Sequence, residues 1–165
     1  MLPSQKYESE GGPSLSRCFD LLARESIRPA ADRMELLKWV IFNVLIGNAD
    51  GHAKNLAIFL TAPGPRLAPF YDLMSTTVYE NLSEKLAMKI GSENRPAWLQ
   101  PRHWKQFADA VSIKQSLVLD VLSNMAGEIV PQAEATALEL HKMHGSNDIV
   151  GQIIEVIRKT ANKLT

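Results

Sequence analysis

Apolar residues recur at helical spacing over most of this chain, and one stretch departs from it. Leu15, Cys18, Phe19 and Leu22 repeat at intervals of three and four behind Pro13. A proline costs nothing in the first turn of a helix, where its missing N–H has no partner to lose. A helix is predicted there, ending before Pro29. A second begins at Pro29 and runs to about Ile46. Its apolar set of Leu36, Leu37, Val40, Ile41, Val44 and Leu45, joined by Trp39 and Phe42, covers nearly two sides. That is the pattern of a central, buried helix, and Gly47 supplies its stop.

Beyond Gly91 the helical period returns. Pro101 opens a helix bearing Trp104, Phe107, Ala108 and Val111, and Ser112 with Gln115 reads as a capping box for the next one. That helix carries Leu117, Val118, Val121, Leu122, Met125, Ile129 and Val130, and Pro131 is expected to kink or interrupt it. Apolar spacing resumes through Leu138 and Leu140 to a stop at Gly145. Ser146 is predicted to cap a last helix with Ile149, Val150, Ile153, Ile154 and Ile157.

The departure lies between Asn48 and Gly91. Leu56-Ala-Ile-Phe-Leu60 reads as a short strand, Ala62-Pro-Gly-Pro65 as a turn, and Arg66-Leu-Ala68 as the return. Val78-Tyr79 and Lys85 to Ile90 are candidates for further short extended pieces. Residues 2–12 read as a polar, extended lead-in. The fold class is therefore mainly α, with a small β hairpin inserted early.

Length and composition bound this picture. At 165 residues, 45% apolar and 22% charged, the chain suits one globular domain spanning residues 1–165. Residues 1–82 hold 8 basic and 9 acidic groups and residues 83–165 hold 10 and 9, so no basic half exists to track nucleic acid. The lone Cys18 cannot form an internal disulfide, which fits a reducing compartment such as the cytoplasm. The most apolar stretch, Trp39 to Ile46, is far below the roughly 20 residues of a membrane-spanning helix.

The dense polar constellation is Gly47-Asn-Ala-Asp-Gly-His-Ala-Lys-Asn55, between the buried helix and the first strand. Asn55 begins the outgoing strand and Asp72 follows the returning one, so a hairpin brings them together with Asp50 beside both. An Asp carboxylate and an Asn carbonyl are hard oxygen ligands of the kind that hold Mg²⁺, whose remaining ligands are waters and phosphates. A second Asp can orient a hydroxyl and accept its proton. Asp-x-x-x-x-Asn, a hairpin, then a metal-binding Asp is the C-terminal-lobe layout of protein kinases. In that layout Asp50 is the base, Asn55 and Asp72 hold magnesium, and Lys54 or His52 touches phosphate. The competing reading is structural: Asn48, Asp50 and Gly51 are turn formers closing the helix, and Asp72 caps the next element.

Leu45-Ile-Gly-Asn-Ala-Asp-Gly-His-Ala-Lys-Asn-Leu-Ala-Ile58 resembles the HipA family of bacterial toxin kinases. So do Leu67-Ala-Pro-Phe-Tyr-Asp-Leu-Met-Ser-Thr76, Lys85-Leu-Ala-Met-Lys-Ile-Gly91 and the lead-in Lys6-Tyr-Glu-Ser-Glu-Gly-Gly-Pro13. The resemblance implies a kinase-like C-terminal lobe from a type II toxin–antitoxin pair that phosphorylates protein serine or threonine with ATP and Mg²⁺. It places the catalytic aspartate on Asp50, the magnesium ligands on Asn55 and Asp72, and nucleotide contacts on His52, Lys54 and Tyr71, with Asn55 and Asp72 also at the nucleotide. It implies a helix-turn-helix antitoxin partner, operator DNA reached through that complex, and an aminoacyl-tRNA synthetase as target. Two departures stand out. No Gly-x-Gly-x-x-Gly phosphate loop occurs in these residues, so the isolated chain is expected to lack an N-terminal lobe and to be inactive or nearly so. Asn48-Ala49 also precedes Asp50 where most eukaryotic kinases have His-Arg. The alternative is a non-catalytic module that binds the antitoxin or acts as co-repressor. A third reading is a metal-dependent phosphohydrolase using Asp50, His52 and Asp72.

Other candidates read as bland. His141 and His144 lack a third metal ligand. Cys18 lies on an apolar stripe, and Trp39, Trp98 and Trp104 read as core. Lys85 to Lys89 reads as a half-exposed strand, and Ser75-Thr76-Thr77 as a cap or turn.

Overall fold

The computed structural model describes residues 6–164. Among the described residues, four α-helices and one hairpin are arranged around a fifth, central helix. Helix α1 (Leu15–Glu25) starts at Ser14, whose hydroxyl accepts the Arg17 N–H, and buries Leu15, Phe19 and Leu22. Helix α2 (Pro29–Leu45) carries proline in its first turn and buries residues around much of its circumference, from Leu36 and Leu37 to Val44 and Leu45. It packs against α1 on one side and against α4 and α5 on others. This all-round burial is what its two-sided apolar pattern required.

The hairpin pairs β1 (Ile58–Thr61) antiparallel with β2 (Gly64–Leu67), Ile58 facing Leu67 and Thr61 facing Gly64. Fully buried Asp32 ties it to the start of α2 by accepting the Leu67 N–H at 2.7 Å. The same carboxylate takes the Ser26 hydroxyl at 2.7 Å and Arg28 Nε at 2.8 Å. Helix α3 (Pro101–Ala110) presents Trp104 and Phe107 to the core, where Phe107 meets Phe19 edge-on at 5.7 Å. Helices α4 (Gln115–His144) and α5 (Asp148–Leu164) pack against each other and close the far side of α2.

Several expectations are corrected. Helix α4 runs unbroken through Pro131. Pro131 and Gly127, the residue whose carbonyl loses its partner, both face solvent, so water replaces the missing bond while Leu122, Ala126 and Ile129 keep the buried face. The Ser112–Gln115 capping box does not form. Ser112 adopts φ +52° and gives its N–H to Asp109 O in closing α3, while the Gln115 amide reaches Asp109 at 2.8 Å. Asn147, not Ser146, caps α5, accepting the Ile149 N–H at 3.1 Å.

Residues 76–78 form a 3-10 turn rather than a strand. Lys85 to Ile90 forms no regular strand, and Leu86, Ala87, Met88 and Ile90 are buried. Its backbone is instead bonded to several loops at once: Leu86 N to Asn94 O, Ala87 N to Ala49 O, and Glu8 N to Ala87 O. Trp98 is not core; it is 57% exposed, with the Arg95 guanidinium 3.4 Å from its ring centroid. Among the described residues, no helix is long and apolar enough to cross a membrane.

Candidate active site

The site begins where α2 ends. Gly47 turns the chain at φ +69°, and a Cβ there would meet the Thr77 hydroxyl and come within 2.7 Å of Val156 Cγ1. Only glycine fits this turn. The loop that follows hangs from two buried asparagines. Asn43 Nδ2 donates to Trp39 O at 2.7 Å, leaving its Oδ1 to accept Asn48 Nδ2 at 2.6 Å. Asn48 then holds two backbones together: its Oδ1 accepts the Asp50 N–H at 3.1 Å, and its Nδ2 reaches Asp72 O at 3.3 Å. Thr76 Oγ1 accepts the Ala49 N–H at 2.8 Å, fixing the residue before Asp50. By sequence Asn48 reads as a turn former, and Asn43 carries no assignment. The available signal was an amide in the middle of an apolar helix, since a buried polar group must find a partner.

Asp50 is about one-third exposed and has both carboxylate oxygens engaged. Lys6 Nζ stands 2.9 Å from each, and the Tyr7 hydroxyl donates to Oδ1 at 2.7 Å. Burial pushes this carboxyl's pKa up, but the Lys6 and Tyr7 hydrogen bonds outweigh it and hold the pKa below the ordinary carboxylate range. Asp50 is therefore an anion at neutral pH. The same hydrogen bonds raise the pKa of Lys6 and of Tyr7. His52 is buried, with Nε2 3.9 Å from Asp50 Oδ1 and its ring edge-on to Tyr7 at 6.0 Å. Burial lowers its pKa despite the pull of Asp50, so its imidazole is neutral at pH 7.

Asn55 and Asp72 meet directly. Asn55 Nδ2 donates to Asp72 Oδ2 at 2.7 Å, and Asn55 Oδ1 accepts the His52 N–H at 2.9 Å. Asp72 holds φ +59°, a left-handed conformation uncommon outside glycine. Such strain persists only where the surroundings over-determine it, and it clusters at functional positions. Tyr71 is half-exposed, and its hydroxyl donates to Lys54 O at 2.8 Å, tying the return of the hairpin to the loop. Asp50 reaches the Asn55–Asp72 pair through Asn48 and the His52 backbone. A cleft of about 470 Å³ borders Asp50, lined by Tyr7, Met74, Leu82, Lys85 and Asn94 among others.

An amide and a carboxylate in contact match the small protein donor set that a water- and phosphate-ligated Mg²⁺ requires. One oxygen of Asp72 is bonded to Asn55, so a cation held by both side chains would replace that hydrogen bond. Among the described residues, no three His, Cys, Asp or Glu side chains group as a metal cluster, so the phosphohydrolase arrangement of Asp50, His52 and Asp72 finds no support in the geometry. His141 and His144 are exposed. Cys18 is largely buried, and burial pushes its thiol up to about 11, far from a reactive thiolate.

The mainly helical fold with its small antiparallel hairpin is the one the comparisons find. The HipA-like C-terminal domain model matches residues 1–133, so the chain belongs to the HipA-like C-terminal domain family. It is 43% identical over 137 residues to the protein named "Putative kinase Y4mE" of Sinorhizobium fredii; the match covers 83% of this chain and 32% of that protein. It is 36% identical over 127 residues to the serine/threonine-protein kinase toxin HipA of Shewanella oneidensis, covering 77% of this chain and 29% of the toxin. A solved complex of Shewanella oneidensis HipA, HipB and operator DNA superposes with a TM-score of 0.79 at 29% identity, over 98% of this chain and 39% of the matched chain. The chain thus spans about a third of the length of these relatives.

Proposed function

We propose that these residues form the C-terminal catalytic lobe of a toxin–antitoxin serine/threonine protein kinase that transfers phosphate from ATP to a protein hydroxyl. The observation that carries this reading is the direct contact of Asn55 with a left-handed Asp72, hung on Asn48 beside an anionic Asp50. In phosphoryl transfer, positioning and charge neutralisation do most of the work. Asp50, an anion held by Lys6 and Tyr7, accepts a hydrogen bond from the incoming hydroxyl and orients it. Asn55 and Asp72 hold magnesium, which when bound neutralises phosphate charge. Tyr71 offers its half-exposed ring to the nucleotide, with Lys54 on the same loop. His52, which the family resemblance puts at the nucleotide, is buried here, so we assign it instead to bracing the site: its N–H donates to Asn55 Oδ1 and its imidazole lies 3.9 Å from Asp50. The solved complex of Shewanella oneidensis HipA with HipB and operator DNA favours an antitoxin partner, with operator DNA reached through it; the family resemblance adds a helix-turn-helix fold for that partner and an aminoacyl-tRNA synthetase as the acceptor protein.

The test is phosphoryl transfer from ATP–Mg²⁺ by this chain supplied with the amino-terminal lobe of a relative such as Y4mE. Asp50→Asn and Asp72→Asn should each lower the rate at least 100-fold, by the general scale of such losses. Unchanged rates in both variants overturn the role assignments. Titration with ATP in magnesium and in EDTA reads the metal role separately.

A further inference from the structure

The lead-in before α1 does more than reach the first helix. Glu8 N donates to Ala87 O, and Glu8 Oε2 accepts the Lys89 N–H at 2.8 Å, so this segment is strapped to the 87–89 backbone. Ala87 N in turn donates to Ala49 O, one residue before Asp50. A short 3-10 turn over Glu8–Glu10, ended by Gly11 at φ +87°, fixes the strap's exit. The strap thereby delivers two consecutive side chains to one carboxylate, 43 and 44 residues away in sequence.

We infer that Lys6 and Tyr7 are positioning residues for Asp50, a two-point clamp that sets the orientation and the charge of the base. Lys6 faces both carboxylate oxygens, while Tyr7 donates to Oδ1 alone. Two donors from different directions remove the carboxylate's freedom to rotate, which a single ion pair would leave. The two clamp residues also brace each other: Lys6 Nζ lies 5.1 Å from the Tyr7 ring centroid, and the ring packs edge-on against buried His52. Tyr7 lines the 470 Å³ cleft beside Asp50, so the clamp borders the space from which an acceptor would approach. The charged and titratable groups facing Asp50 are Lys6, Tyr7 and His52. Among these three Lys6 is the cation at neutral pH, and its hydrogen bond and charge, with the Tyr7 hydrogen bond, hold the Asp50 pKa down.

This inference rests on the proposed role of Asp50, but its test needs no catalysis. The Asp50 side-chain carbon is followed by NMR through an acid titration of this chain, in wild type and in Lys6→Met, Lys6→Arg, Tyr7→Phe and Asp50→Asn; the last assigns the resonance. Lys6→Met should move the Asp50 midpoint upward, Tyr7→Phe should move it upward by less, and Lys6→Arg should restore it. Amide shifts in α4 and α5 should stay put, showing that the fold is kept. An Asp50 midpoint that is the same in wild type, Lys6→Met and Tyr7→Phe overturns the clamp. A clamp that holds in a chain showing no transfer with a supplied lobe would sink the kinase reading alone.

Discussion

Replacing Asp32 by alanine should be among the costliest changes outside the apolar core, and the structure says why. The carboxylate is fully buried and accepts three hydrogen bonds, one of them from the backbone of β2. Truncation orphans the Leu67 N–H, and an unsatisfied buried donor costs about 1–3 kcal/mol. The Ser26 hydroxyl loses a charge-assisted bond worth about 1.5 kcal/mol or more. Arg28 is half-exposed and can turn to water, so its pairing adds no more than about 1 kcal/mol. A total of about 3–4 kcal/mol follows from these magnitudes. In a chain of this length that lowers the melting temperature by roughly 6–16 °C.

Urea unfolding followed by circular dichroism measures the loss. A deficit under about 1 kcal/mol would show that the three bonds do not hold the hairpin to α2. The same carboxylate predicts a pH effect. Burial raises its pKa, but the Leu67, Ser26 and Arg28 bonds outweigh burial and lower it. Its stabilisation is then fully present above the unfolded carboxyl value of about 3.9 and is lost as pH falls through the lower folded value. Asp32→Asn should flatten the acid limb of the stability curve below about pH 4.

Three further outcomes are expected. Gly47→Ala should cost about 2–4 kcal/mol, from a left-handed backbone plus the clash with Thr77 and Val156, and paired thermal melts with Thr77→Ala, which removes the clashing hydroxyl, would show partial relief. Asp72→Asn should leave stability within about 0.5 kcal/mol, because asparagine tolerates positive φ, yet abolish any magnesium-dependent gain in ATP binding by calorimetry. Trp104→Ala should cost about 3–5 kcal/mol by denaturant titration, because the ring is fully buried between α3 and the core.

Local pattern carried much of this fold. Helices α1, α2 and α3 are legible because apolar residues at helical spacing, a proline in the first turn and glycine or proline stops are all short-range signals. The pairing of Asn55 with Asp72 was equally legible, because a hairpin with a tight turn leaves its two flanks nowhere else to go. The misses share a cause. Pro131 looks like a break until its solvent-facing position is known, and Ser112 looks like a cap until α3 claims its backbone.

The residues that set the chemistry of Asp50 were beyond local reading. Lys6 and Tyr7 look like any polar lead-in, and nothing within a helical turn of them announces a carboxylate more than forty residues on. Periodicity reports which face of an element avoids water, so it determined the elements and the hairpin. Charge and orientation at a single oxygen depend on which distant groups converge there, and the packing of the strap against residues 87–89 decided that.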